Sequence, residues 1–290
     1  MTSGLLGLLV VVAGCAEGGE LPGGGEAAEI VAACLAADDG AHLCTLDRTG
    51  ATDVTDLGID PGQRLAPRVG RGEVLVVRDG RPSLVDLGTL EAREVSDEVV
   101  VDPAWLTEDV FVAWFAEGTS PDGDTVATTV LVGDVTDRTS ERVDLSGHLP
   151  PGATALRGGS ARDGVVAQPY AHGTGYGVVV VDLRGARVLG SLDLEVVPSW
   201  TAVAGDGSVV VTDADGGLRV VDPAGATLVE LTEDVPLVTP SVSADGREVL
   251  YVDARGALVL LDLDRRESRA VVDQSGGDLD DFPAFAAWLG

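Results

Sequence analysis

Short apolar runs separated by polar turns repeat along most of this chain. The clearest unit spans residues 240–272, where four Val- and Leu-rich runs follow one another. Its first two runs are joined by Asp245-Gly246, a dipeptide that favours tight hairpin turns. Short runs rich in β-branched residues, with turn signals on both sides, are typical of antiparallel strands. The unit therefore predicts four strands joined by hairpins.

The same unit recurs with a regular marker, an Asp that closes its third strand. These Asp residues are spaced 39 to 48 residues apart and comprise Asp47, Asp86, Asp134, Asp182, Asp222 and Asp262. A Pro opens the first strand of most units, as Pro67, Pro103, Pro198 and Pro240 do. Four-stranded units that repeat every 40 to 50 residues or so indicate a β-propeller.

The two ends of the chain predict how the propeller closes. The first unit begins with a second-strand pattern at residues 30–35, and the chain ends on a first-strand pattern at residues 282–288. A C-terminal strand that completes the N-terminal blade would cover two open sheet edges. We therefore predict an all-β, six-bladed β-propeller with four-stranded blades over residues 29–290, closed by the C-terminal strand.

One segment carries a resemblance to known propellers. Residues 240–252, PSVSADGREVLYV, resemble the repeat of TolB-like and WD-repeat-like propellers, with Val-Asp or Leu-Asp where WD repeats have Trp-Asp. The resemblance implies the fold. It leaves function open, because propellers host many unrelated functions.

The first 28 residues have a different character. An apolar run, Leu5–Ala13, precedes Gly14 and Cys15. It is shorter than the roughly 20 residues that span a bilayer, but it suits an export signal. The stretch resembles a bacterial lipoprotein signal, which implies a signal peptide at 1–14, lipid on Cys15 and an extracytoplasmic, lipid-anchored protein. Residues 15–28 would be the lipidated Cys and a flexible tether spanning on the order of 20 Å. A short buried helix is the alternative.

The charge of the chain restricts its partners. It has 48 acidic and 19 basic residues, a net charge of -29. Such a surface repels phosphate backbones and anionic headgroups, so we expect no nucleic-acid partner and membrane contact only through the lipid anchor. The three His residues do not lie at metal-ligand spacing from a Cys, so the sequence predicts no metal and no cofactor.

Two cysteines remain once Cys15 is assigned to lipidation. Cys34 and Cys44 fall on the second and third strands of the first blade. A three-residue turn at Asp38-Asp39-Gly40 would place them opposite each other, and disulfides persist in an oxidising compartment. A Cys34–Cys44 disulfide is therefore predicted, with two buried free thiols as the alternative.

No motif in the chain points to catalysis. Residues 213–217, DADGG, begin like a calcium loop but lack the third ligand and the distal Glu, so a hairpin turn is favoured. No nucleophile elbow is present. Scattered carboxylates leave open a glycosidase-type pair, because sequence does not show which of them face each other across the channel.

Two long loops on neighbouring blades form the best candidate for a recognition surface. They span residues 117–124 in the third blade and 170–176 in the fourth, on the face that carries the connections between blades. The candidate partner-binding residues are Asp122, Asp124, Tyr170, His172 and Tyr176. Such a polar and aromatic mixture is common on recognition surfaces. Length variation without a partner is the alternative.

These observations favour a cell-envelope lipoprotein with a non-catalytic binding or scaffolding role. A propeller face would be presented to another envelope protein or to a sensor system. The alternative is an extracytoplasmic propeller enzyme, a hydrolase or lyase that acts on carbohydrate or ester through channel-facing acids. Whether any catalytic activity exists is left open by the sequence.

Overall fold

The computed structural model describes residues 30–288 apart from 37–39, 48–49, 60–63, 69, 121–122, 224, 232–239, 244, 254–257 and 273–282. This part of the chain is built from strands and one short 3-10 helix, Ser146–His148. The strands are β1 (Ile30–Ala36), β2 (Gly40–Asp47), β3 (Gly50–Ile59), β4 (Ala66–Arg68), β5 (Glu73–Arg78), β6 (Arg81–Asp86), β7 (Ala92–Glu94), β8 (Val101–Trp105), β9 (Val110–Ser120), β10 (Gly123–Asp134), β11 (Thr139–Asp144), β12 (Thr154–Ala155), β13 (Ser160–Arg162), β14 (Val165–His172), β15 (Gly175–Asp182), β16 (Arg187–Leu194), β17 (Pro198–Val203), β18 (Val209–Asp213), β19 (Leu218–Val221), β20 (Thr227–Leu231), β21 (Ser241–Val242), β22 (Glu248–Val252), β23 (Leu258–Asp262), β24 (Glu267–Val272) and β25 (Pro283–Trp288).

These strands form antiparallel sheets arranged as a propeller. In order along the chain, sheet one is β25-β1-β2-β3, sheet two β4-β5-β6-β7, sheet three β8-β9-β10-β11, sheet four β12/β13-β14-β15-β16, sheet five β17-β18-β19-β20 and sheet six β21-β22-β23-β24. The first strand of each sheet is innermost, and these inner strands contact their neighbours in turn around a common axis. The predicted propeller with four-stranded blades is thereby confirmed.

The predicted count of six four-stranded blades is wrong, because five sheets have four strands and sheet four has five. In sheet four both β12 and β13 pair with β14. The inner strand is split at Gly158, whose φ of +87° favours glycine. A Cβ there would lie 2.0 Å from the Ser199 carbonyl oxygen, and the Gly158 oxygen accepts a 2.8 Å bond from the Thr201 amide. The chain leaves β14 here to contact sheet five.

The C-terminal strand pairs with the first strand of the chain. β25 lies antiparallel to β1, with Ile30 opposite Trp288 and Ala33 opposite Phe285. The predicted pairing between the two ends of the propeller is therefore confirmed. It gives sheet one an inner strand from the far end of the chain.

The register of β1 and β2 differs from the predicted one. Cys34 lies opposite His42 and Cys44 lies opposite Ala32, because residues 37–39 rather than 38–40 join the strands. The prediction that the two cysteines face each other directly is wrong. Diagonal neighbours on a sheet lie about 7–8 Å apart, beyond the roughly 4.4–6.8 Å between the Cα atoms of most disulfides. The disulfide stays a prediction that this register does not favour.

The hydrophobic core lies between neighbouring sheets. On β9, Phe111 packs with side chains of sheet two and Trp114 packs with side chains of sheet four. Middle strands such as β18 are therefore buried on both faces, whereas outer strands such as β11 are largely exposed. This pattern explains why the middle strands are continuous Val runs, since both of their faces are covered.

The recurring Asp residues cap the turns between third and fourth strands. Asp86 Oδ1 accepts bonds from the amides of Gly88 and Thr89, at 2.9 and 2.8 Å. Asp134, Asp182, Asp222 and Asp262 accept amide bonds in their turns in the same way. Backbone hydrogen bonds, chiefly from Thr89, hold the pKa of Asp86 below its ordinary value. The repeat marker is therefore a turn-forming residue.

We expect Asp86→Ala to destabilise the protein more than Asp86→Asn, because asparagine keeps an oxygen for the two amides. The pH dependence of stability distinguishes the contribution of the Asp86 charge from that of its hydrogen-bond geometry. A carboxyl whose pKa is lowered on folding stabilises the protein above its unfolded pKa of about 3.9, and this contribution is lost as pH falls through the folded pKa. Thermal melts from pH 7 to pH 2 should therefore show wild type and Asp86→Asn converging at the acid end. An unchanged difference at both ends would contradict the charge contribution.

Candidate functional site

One face of the propeller carries the loops between second and third strands and the connections between sheets, and the longest strands extend from it. We call it the connection face. Its largest feature is the hairpin of β9 and β10, with strands of 11 and 12 residues. Sheet two forms the equivalent hairpin from two strands of six residues. β9 pairs with the inner strand β8 only as far as Trp114, so the hairpin continues beyond the sheet.

The extra strand β12 joins this hairpin to sheet four. Leu156, directly after β12, forms a bridge with Thr125 of β10, and Ala155 of β12 lies opposite Tyr170 of β14. The Arg157 amide also donates a 3.1 Å bond to the carbonyl oxygen of Asp124. The long hairpin and sheet four are therefore fixed to each other on the connection face.

An ion-pair network lies beneath this junction. Arg157 donates to Asp102 of β8 through two nitrogens, at 2.8 and 3.0 Å, and to Asp124 of β10 at 3.1 Å. Asp102 is 0% exposed, whereas the Asp124 side chain is 43% exposed. The hydrogen bonds that Arg157 donates to Asp102 raise the pKa of Arg157 above its ordinary value. The network thus joins the inner strand of sheet three to the hairpin through one guanidinium.

A second arginine crosses the middle of the propeller. Arg64 precedes β4 of sheet two, but it donates to the carbonyl oxygens of Gly159 in sheet four and Thr201 in sheet five, at 2.5 and 2.9 Å. Burial lowers the pKa of Arg64 to about 10, and the negative charge of Asp102 partly offsets this effect. Arg64 stays protonated at neutral pH and ties together strands on opposite sides of the axis.

The opposite end of the axis carries a related contact. Arg162, the last residue of β13, donates a 2.8 Å bond to the carbonyl oxygen of Ser243 in sheet six. Each of the two arginines donates to a carbonyl oxygen outside its own sheet, and together they connect sheets two, four, five and six near the axis.

The candidate residues predicted from the sequence are only partly brought together. Asp124 lies in the Arg157 network, and His172 is exposed at the β14–β15 turn. Tyr176 is half-buried against the core between sheets four and five. Asp122 lies outside the described residues, as does Cys15.

Tyr170 is a core residue, so its prediction as an exposed loop residue is wrong. It is 3% exposed and packs in the same cluster as Trp114. Burial raises the pKa of its hydroxyl. The predicted loop 170–176 consists mostly of β14 and β15, joined by a two-residue turn, and Tyr170 and Tyr176 lie on opposite faces of this sheet.

The turn interpretation of the calcium-like segment is confirmed. Asp213 Oδ1 accepts bonds from the amides of Asp215 and Gly217, at 3.1 and 2.8 Å, and so serves the hairpin itself. Among the residues that the structure describes, no group of three or more His, Cys, Asp or Glu side chains could hold a metal ion.

Sequence reasoning missed Arg64, Asp102 and Arg157. None of them lies in a repeat marker or a turn motif, and their partners are 33 to 137 residues away along the chain. The only local signal is that Arg64 and Asp102 each lie close to a Pro that opens an inner strand.

Comparison with known proteins gives similarity of fold. No protein-family profile matches the sequence, and no curated protein matches it. TolB from Acinetobacter baumannii is similar over 90% of this chain and 66% of its own, with a TM-score of 0.61 and 15% identity. A chain in the crystal structure of the nidogen/laminin complex is similar over 91% of this chain and 99% of its own, with a TM-score of 0.60 and 13% identity.

A third similar chain comes from the crystal structure of the mitotic checkpoint complex. It covers 74% of this chain and 68% of its own, with a TM-score of 0.50 and 12% identity. At these identities the three comparisons show the β-propeller fold alone. In the described ranges, no helix has the length and apolar character needed to cross a membrane.

Proposed function

We propose that this protein is a lipid-anchored envelope protein whose propeller is a non-catalytic binding module. The connection face at sheets three and four would bind another envelope protein or part of a sensor system. The observation that carries the proposal is the junction of the long β9–β10 hairpin with sheet four through β12 and Arg157. Binding surfaces are commonly loops positioned on a rigid scaffold, and this junction supplies the rigidity.

Two further observations support a binding role. Solved structures of similar fold include chains in the crystal structures of the nidogen/laminin complex and the mitotic checkpoint complex. The buried carboxylate of Asp102 on the inner strand β8 accepts hydrogen bonds from two nitrogens of Arg157, which favours a structural role for it over a catalytic one. The lipobox-like Val12-Ala13-Gly14-Cys15 motif supports the envelope location.

Charge reversal on the hairpin tests the binding surface. Glu117 is exposed beyond the sheet, and Asp137 is exposed in the β10–β11 turn on the opposite face. We expect Glu117→Arg to weaken capture of a partner from crosslinked host membranes by about fivefold, because one exposed charge contributes on the order of 1 kcal/mol. Capture would be measured by quantitative mass spectrometry of purified complexes.

Asp137→Arg is the matched control, since it makes the same charge change in the neighbouring turn of β10. It should leave capture unchanged. A partner lost with Asp137→Arg but kept with Glu117→Arg would assign binding to the other face and refute this surface.

A further inference from the structure

The chain enters the propeller on the face opposite the connection face. β1 begins at Ile30, which pairs with Trp288, the last residue of the inner strand β25. In the other sheets, the end of the inner strand leads into the turn to the second strand, as at Asp163-Gly164 in sheet four. Ile30 therefore lies at the same level as these turns. We call this side the entry face.

We propose that the anchored protein holds its entry face toward the membrane and its connection face away from it. The inference rests on the lipid anchor of the proposed function and adds an orientation and a kind of partner. A tether attached next to Ile30 restrains that side of the propeller most closely. The partner would then be a protein whose binding segment lies outside the anchoring membrane.

The dimensions make this orientation measurable. The tether predicted at residues 16–28 spans on the order of 20 Å. In sheet four, β15 has eight residues and runs from one face to the other, so its ends lie about 26 Å apart at roughly 3.3 Å per residue. The connection face would thus lie about 26 Å farther from the lipid than the entry face does. This difference is similar to the span of the tether.

The charges of the entry face favour an arrangement in which the propeller is separated from the bilayer and does not adsorb to it. Exposed acids there include Asp86, Asp163 and Asp245. Its exposed arginines are partly neutralised, as Arg71 is by Glu108 at 2.5 Å. Anionic headgroups would repel such a face rather than bind it. The tether, and not adsorption to lipid, would therefore set the orientation.

Energy transfer to the membrane tests the proposal on the full lipidated chain. Azidophenylalanine replaces either Thr174, in the exposed β14–β15 turn on the connection face, or Arg184, in the exposed β15–β16 turn on the entry face. Each variant receives the same donor dye and is placed in phosphatidylethanolamine–phosphatidylglycerol vesicles with an acceptor-labelled lipid. We expect stronger energy transfer from position 184 than from position 174, with a mean distance from dye to lipid that is shorter by up to about 26 Å, the length of β15.

Equal transfer from the two positions would overturn the orientation, and so would stronger transfer from position 174. Metabolic labelling with a fatty acid, with Cys15→Ser as the unlabelled control, separates the two hypotheses. A wild-type chain without the label would refute the envelope location and the orientation with it. A labelled chain with reversed transfer would refute the orientation only.

Discussion

Asp102→Asn is expected to lower the free energy of unfolding by about 3 kcal/mol, because it removes the buried negative charge that pairs with Arg157. Asp102 is 0% exposed and accepts two bonds from Arg157. Its charge also partly offsets the burial of Arg64. Asparagine would keep one acceptor oxygen but would aim an amide group at a guanidinium that donates only. Urea denaturation at pH 7 measures the change.

Asp124→Asn is the matched control, since Asp124 bonds the same guanidinium at 3.1 Å with a side chain that is 43% exposed. Exposed ion pairs contribute about 0–1 kcal/mol, so this variant should unfold close to the wild-type midpoint. Equal losses in the two variants would show that burial does not decide the strength of this network.

The fold could be predicted from sequence because its determinants are local. Val runs flanked by Asp-Gly dipeptides specify strands and tight turns from a few neighbouring residues. In sheets two to six, the Asp that closes the third strand accepts bonds from amides only two to four residues away. The repeat of such signals at a nearly constant period was sufficient for the propeller architecture.

The errors arose where a small change in the chain path decided the outcome. The register of β1 and β2 moved because the connection occupies residues 37–39, and Cys34 therefore lies opposite His42. The fifth strand of sheet four follows from the break at Gly158, where the backbone approaches Ser199 of sheet five. Neither feature has a repeat signal, because each depends on the neighbouring element in space.

The neighbouring positions of the two long segments could be predicted from the sequence, but the side chains that hold them together could not. The two long segments do lie on neighbouring sheets, and β12 connects them. The stabilising side chains, however, are Arg64, Asp102 and Arg157, whose contacts cross from one sheet to another. Sequence spacing carries no information on contacts that form only when the ring of sheets is assembled.

Tyr170→Ser is expected to lower the free energy of unfolding by about 3–5 kcal/mol, the usual cost of removing a large buried aromatic side chain. Tyr170 is 3% exposed and packs with the core between sheets three and four. Its ring also covers Gly177 on the neighbouring strand, where a Cβ would come within 2.5 Å of the ring carbon that bears the hydroxyl. This variant should shift the denaturation midpoint strongly and reduce the yield of folded protein.

Two controls distinguish the packing of the Tyr170 ring from other causes of destabilisation. One tests the contribution of the hydroxyl, and the other tests whether any Tyr→Ser change in this hairpin is destabilising. Tyr170→Phe should cost less than about 1 kcal/mol, because the hydroxyl makes a single long contact of 3.5 Å with Asp193. Tyr176→Ser should cost about 1 kcal/mol, since Tyr176 is only half-buried on the other face of the sheet. If Tyr170→Ser and Tyr176→Ser unfolded at the same denaturant concentration, Tyr170 would not be the core residue that the packing indicates. Its aromatic ring would then be free to serve the connection face.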